Sequence, residues 1–141
     1  MRRSGINSES HQPPAVRVVA AVIERDGKIL IGQRKPSGRH PLKWEFPGGK
    51  VEPGEDDRAA LARELREELQ IDAVIGDEID AYDFRYGEGP VTHLRFFHVS
   101  AFSGEPRNLD FAQIVWEDPR RLPDYDFLEG DVDFVRRLAA R

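Results

Sequence analysis

"GGKVEPGEDDRAALARELREELQI", from Gly48 to Ile71, sets two adjacent glycines shortly before a helix-forming run that carries three closely spaced glutamates. Pro53-Gly54 marks a turn, and Glu55, Asp56 and Asp57 follow it, where carboxylates interact favourably with the dipole of a helix N-terminus. Leu61, Leu65 and Leu69 recur at i, i+4 and i+8, which predicts a core-facing stripe. Glu64, Glu67 and Glu68 stand at i, i+3 and i+4, so their side chains cluster in a row that borders that stripe. A solvated helix face with ion pairs such as Arg63 to Glu67 is the simpler reading of a Glu-rich helix. Repulsion argues against it. Like charges at these spacings cost about 0.2–0.5 kcal/mol per pair, and more beside a low-dielectric core. Three of them together point to a bound cation, and hard cations such as Mg²⁺ prefer carboxylate oxygens.

Working outward, "VRVVAAVIE" (Val16 to Glu24) is β-branched and almost continuously apolar, as suits a central strand buried on both faces. Asp26-Gly27 is a hairpin turn into a returning strand over Lys28 to Arg34. Lys35 to Lys43 is a loop rich in Pro, Gly and charge. Beyond the helix, Ala73 to Tyr86 reads as one or two strands, and Val91 to Phe102 as one long aromatic-rich strand. "AQIVWED" is a short strand, and "DVDFVRRLAAR" is a closing helix with Val132, Val135 and Leu138-Ala139 on one side. Strands, helix, strands, helix predict an α+β or mixed α/β sandwich.

The chain has 141 residues, enough for one domain over 15–141, preceded by a polar arm expected to be mobile over 1–14. The net charge of −5 argues against a nucleic-acid duplex as the main partner but leaves a nucleotide open, since a divalent cation can stand between acid and phosphate. There is no cysteine, so thiolate metal sites and disulfides are excluded. No apolar run approaches a membrane span, and the basic N-terminus lacks the apolar core of a secretory signal, so no membrane partner and a cytoplasmic location are expected. The oligomeric state is not set by any of these features.

Gly49, then Glu55, then Arg63-Glu64-Leu65-Arg66-Glu67-Glu68-Leu69-Gln70-Ile71 resembles the Nudix box, G-x5-E-x7-R-E-U-x-E-E-x-G-U with U aliphatic. Every specified position agrees except the last glycine, which is Gln70 here, at the helix end where glycine relaxes the chain into a left-handed turn. "KWEFPGGKVEPGE" and the "VVAAVIERDGKILIGQR" hairpin are similar to the MutT-like subgroup, which hydrolyses nucleoside triphosphates to monophosphates and pyrophosphate. The resemblance implies an α/β/α sandwich around a central mixed sheet. It also implies Mg²⁺, with Mn²⁺ as a possible substitute, held by Glu64, Glu67 and Glu68 with help from the Gly48 carbonyl. Arg63 would orient the glutamates and Glu55 would brace the loop. Water would attack a bridging phosphorus in line, with a box glutamate, Glu64 or Glu67, as the favoured base and Asp110 as the alternative.

Substrate contacts implied by the resemblance are Arg34, Glu45, Phe46 and Asp131. Each has a plainer reading: an exposed strand-end arginine for Arg34, a core side chain for Phe46, a helix N-cap for Asp131. His93 and His98 lie five apart on a strand, so they point to opposite faces and read as strand-face residues. The expected substrate is 8-oxo-dGTP or (d)CTP. An ADP-sugar, an RNA 5′ end, or a sensor domain without turnover are the alternatives, and the intact Arg63-Glu64 and Glu67-Glu68 pairs argue against the sensor.

Overall fold

Strand β1 (Val16–Arg25) runs through the middle of the molecule and alternates its side chains between two cores. The computed structural model describes residues 14–141, so the arm expected at 1–14 lies, except for Pro14, outside the described residues. Ala20 and Val22 face one core, with Phe96, Phe134 and Leu138; Val19, Ala21 and Ile23 face the other, with Leu61, Leu65 and Leu69. A strand buried on both faces needs apolar residues at every position, which is why this run lacks the usual polar alternation.

The remaining elements follow as β2 (Lys28–Gln33), β3 (Trp44–Glu45), β4 (Gly48–Lys50), α1 (Asp57–Leu69), β5 (Asp72–Val74), β6 (Glu78–Arg85), β7 (Val91–Val99), β8 (Ala101–Ser103), β9 (Gln113–Glu117) and α2 (Val132–Ala139). The main sheet runs β3-β2-β1-β7-β6, with β4 added to β1 and β9 to β2. The β1–β7 pair is parallel and the β1–β4, β2–β9 and β6–β7 pairs are antiparallel, so the sheet is mixed. Helix α1 covers one face and α2 the other, giving the three-layer sandwich expected. Among the described residues no helix is long and apolar enough to cross a membrane.

Two details differ from the sequence reading. The strand expected over Val91 to Phe102 ends at Val99, and Ala101–Ser103 leaves the main sheet to pair with β5. The apolar stripe of α2 also includes Phe134, whose ring stacks on Phe96 with centroids 3.9 Å apart.

Candidate active site

Helix α1 is fixed at both ends. Asp56 caps it, its Oδ1 accepting the Ala59 N–H at 2.8 Å. Asp57 turns inward instead, is 8% exposed, and pairs with Arg17 of β1 and Arg95 of β7. At the other end Gln70 adopts the left-handed conformation, φ 57° and ψ 39°, and its N–H returns to the Arg66 carbonyl. The turn typical of glycine is therefore made by glutamine. The last carbonyls are also satisfied: Glu68 O accepts from Leu109 N at 3.0 Å and Leu69 O from Arg107 N at 2.9 Å. This docks the loop carrying Asp110 against the helix.

Arg63 organises the approach to the glutamates. Its guanidinium grips Glu55 twice, at 2.7 and 3.1 Å, reaches Glu67 at 3.2 Å and Glu64 at 3.4 Å, and donates to the Lys50 carbonyl at 3.2 Å. Glu55 in turn accepts the Glu52 N–H at 3.0 Å, which closes the loop before the helix. Arg63 holds the Glu55 carboxyl below its usual range.

Glu64 and Glu68 meet the glycine strand. In the β1–β4 register Gly49 lies opposite Val19 and Gly48 opposite Ala20. A Cβ on Gly49 would fall 2.5 Å from the Glu64 carboxylate, and one on Gly48 would collide with the Val19 carbonyl. Gly48 also has φ +155°, and its N–H donates to Glu68 Oε1 at 3.1 Å. Only glycine allows so close an approach here. Burial, and then the charges of Glu64 and Glu45, push the Glu68 carboxyl up to about 9. Burial raises Glu64 as well. Glu67 is different: its side chain is 59% exposed and leans on Arg63. Among the described residues no three acids or histidines close into a ready metal cage. What the structure has is a half-buried carboxylate with the acids Glu64 and Glu45 near it, beside a backbone with no side chain in the way. That donor set fits a hard divalent cation.

The other sequence-derived candidates line the same cleft, about 350 Å³ in volume, bordered by Arg34, Glu45, Phe46, Gly48, Glu68, Asp110 and Asp131. Glu45 lies beside Arg34, which donates to it at 3.1 Å, while burial raises its pKa against that pull. The Phe46 side chain packs into the α2-side core between Phe127 and Phe134, though the residue still borders the cleft. Asp131 opens α2 but makes no side-chain cap hydrogen bond, so the plain capping reading fails. It is 6% exposed, and burial followed by the Glu45 charge pushes its carboxyl up to about 8. His93 and His98 pair with Asp83 and Glu24, away from the cleft, at 2.5 and 2.8 Å. A more open groove of about 520 Å³ between the β1–β2 turn and α2 has its charged pair Asp118 and Arg120 joined at 2.8 Å and lacks the glycine strand.

Sequence reasoning missed Tyr86, Arg39 and His40, which also border the cleft. Tyr86 follows the end of β6 and the other two sit in an irregular loop, so no periodicity marked them.

The NUDIX domain model matches residues 13–138. The CTP pyrophosphohydrolase of Escherichia coli (strain K12) is 41% identical over 89% of this chain and 92% of its own length. The 8-oxo-dGTP diphosphatase of Haemophilus influenzae is 30% identical over 87% of this chain and 90% of its own. The solution structure of the E. coli ORF135 protein superimposes with a TM-score of 0.81 at 40% identity, covering 91% of each chain. Box helix, glycine strand, three-layer sandwich and these likenesses agree: the chain belongs to the Nudix family of hydrolases.

Proposed function

We propose that this chain hydrolyses a nucleoside triphosphate to the monophosphate and pyrophosphate with a divalent cation, and that its preferred substrate is a cytosine nucleotide. One observation carries the reading: a single cleft is lined by both Glu68, half-buried and accepting the Gly48 N–H, and the buried Asp131. The first suits polyphosphate through a cation, the second suits a nucleobase.

Glu68, Glu64 and the Gly48 carbonyl are the groups that would hold the cation, with Glu67 turning in from Arg63. A divalent cation bound there supplies charge neutralisation at the phosphate oxygens and lowers the pKa of water. Glu64, half-buried and aligned by Arg63, takes the proton of the attacking water, and Asp110, which borders the cleft, is the second candidate. Arg63 and Glu55 act by holding the acids in place. Arg34 and Glu45 flank the substrate, and the Phe46 segment forms the cleft wall.

The cytosine preference follows from Asp131. An exocyclic amino group offers donors that Asp131 accepts whether ionised or neutral. A carbonyl at the same position, as in thymine, is repelled once Asp131 is ionised, so the discrimination is largest above its pKa of about 8. The donor-bearing edge of guanine makes 8-oxo-dGTP the competitor. Two relatives bear names for these two substrate types.

A panel of about thirty nucleotides and nucleotide-linked compounds, assayed for pyrophosphate release with and without Mg²⁺, tests the proposal. Cation-dependent turnover of a cytosine triphosphate supports it. Early orthophosphate, turnover confined to ADP-sugars or capped RNA ends, or no turnover at all would refute it.

A further inference from the structure

Asp131 is buried in the cleft wall without a capping bond to the helix it opens. Its position is set by the residue before it. The Gly130 carbonyl accepts a hydrogen bond from the Tyr82 hydroxyl at 2.6 Å, and the Gly130 N–H donates to the Tyr86 hydroxyl oxygen at 3.1 Å. Tyr82 belongs to β6 and Tyr86 follows it four residues on, so both project from one face of the sheet. The two peptide groups that flank the Gly130 Cα are thereby pinned by two phenols. A Cβ on Gly130 would collide with the Tyr86 hydroxyl and come within 3.2 Å of the Phe84 ring, so the clamp requires glycine. On the opposite side the segment is tied to β3: Trp44 N–H donates to Asp126 O and Leu128 N–H to Trp44 O, both at 2.9 Å. The turn that presents Asp131 is suspended between two strands of the sheet.

We propose that Tyr82 and Tyr86 are positioning residues that set base selection by fixing the Gly130–Asp131 backbone. This rests on the reading of Asp131 as the base-contacting group. The division of labour is chemical. Tyr82 spends its proton on the Gly130 carbonyl. Tyr86 spends a lone pair on the Gly130 N–H and keeps its own proton. Tyr86 also borders the cleft and packs on His40, ring centroids 4.9 Å apart, so the clamp touches the Lys35–Lys43 loop as well.

The test measures kcat/KM for dCTP, dTTP, dATP and 8-oxo-dGTP in wild type, Tyr82→Phe, Tyr86→Phe, Gly130→Ala, Asp131→Asn and the Tyr86→Phe/Asp131→Asn double variant. Tyr82→Phe, Tyr86→Phe and Gly130→Ala should each narrow the spread between best and worst base by a few-fold to about tenfold, the scale of one lost hydrogen bond. The Mg²⁺ concentration for half-maximal rate should stay at the wild-type value. Tyr86→Phe should change nothing further once Asp131 is Asn, since both act on one contact. If Asp131→Asn shifts the ranking but neither tyrosine variant does, and they only lower the Tm, the clamp is a fold support and the proposal is overturned. If the tyrosine effect persists undiminished in the Asp131→Asn background, the tyrosines touch the base themselves and positioning is overturned. If Asp131→Asn leaves the ranking unchanged, the reading of Asp131 falls and the clamp proposal with it.

Discussion

The Glu68 carboxylate accepts the Gly48 N–H at 3.1 Å across twenty residues of sequence, joining the box helix to the glycine strand. The acid that fixes the strand is also the one most in need of a counter-charge, because burial and the neighbouring Glu64 and Glu45 hold its pKa near 9.

That need has a measurable sign. Glu68 and Asp131, pushed up to about 9 and about 8, sit far above the ordinary carboxylate range near 4. Folding therefore takes up protons between those limits. The stability these groups contribute is complete below about pH 4 and is lost as pH rises through the folded values. Urea melts in chelator should show stability falling steadily from pH 5 to pH 9. Mg²⁺ should restore more at pH 9 than at pH 5, as proton and cation compete for Glu68. Glu68→Gln should flatten the chelator profile and abolish the Mg²⁺ gain. A level chelator profile in the wild type would show that Glu68 and Asp131 carry no such cost.

With Asp131 as the proposed base contact, specificity should depend on pH. Below its pKa of about 8 a protonated carboxyl tolerates a carbonyl on the base, and above it only donors are accepted. The ratio of kcat/KM for dCTP over dTTP should rise across pH 7 to 9, and Asp131→Asn should make it flat. A ratio that is constant in the wild type contradicts this.

Gly49→Ala should separate activity from stability. The added Cβ lands 2.5 Å from the Glu64 carboxylate, the far end of a flexible side chain that can swing away. The fold should lose no more than about 1 kcal/mol, while kcat falls by roughly tenfold or more as Glu64 leaves its position. Wild-type kcat in a folded Gly49→Ala protein would remove Glu64 from the site.

Gln70→Gly should stabilise the protein. A non-glycine residue in the left-handed region costs about 1–2 kcal/mol, and glycine repays part of that in chain entropy. A net gain of about 0.5–1 kcal/mol in chemical denaturation is expected, with kinetics unchanged. No gain would mean that the Gln70 side chain compensates for the strain.

The helix was legible because its spacing states its packing: Leu61, Leu65 and Leu69 are all fully buried. The twofold burial of β1 was legible because an apolar run without polar alternation suits a strand covered on both sides. Asp57 was not. A third carboxylate in a first turn reads as dipole chemistry, and only the fold brings Arg17 and Arg95 to it from two strands. Tyr82 and Tyr86 were hidden for the same reason, since their partner Gly130 lies 48 and 44 residues away. Ser100 gave no sign of the break between β7 and β8, which is set by pairing with β5.

The parallel ladder between β1 and β7, Val16 with Thr92 through Ile23 with Val99, has a kinetic consequence. Parallel strands cannot be closed by a hairpin, so this pairing must capture everything from β2 to β6 in one long loop, α1 included. The entropy of that closure has to be met before the ladder rewards it, which makes folding slow. Glu68 reaches Gly48 only when β4 has docked on β1 and α1 on the sheet. Glu68→Gln is expected to slow unfolding at pH 9, where the acid it replaces carries charge beside Glu64 and Glu45, and to leave the folding rate as it was, which the two arms of a chevron plot would read separately.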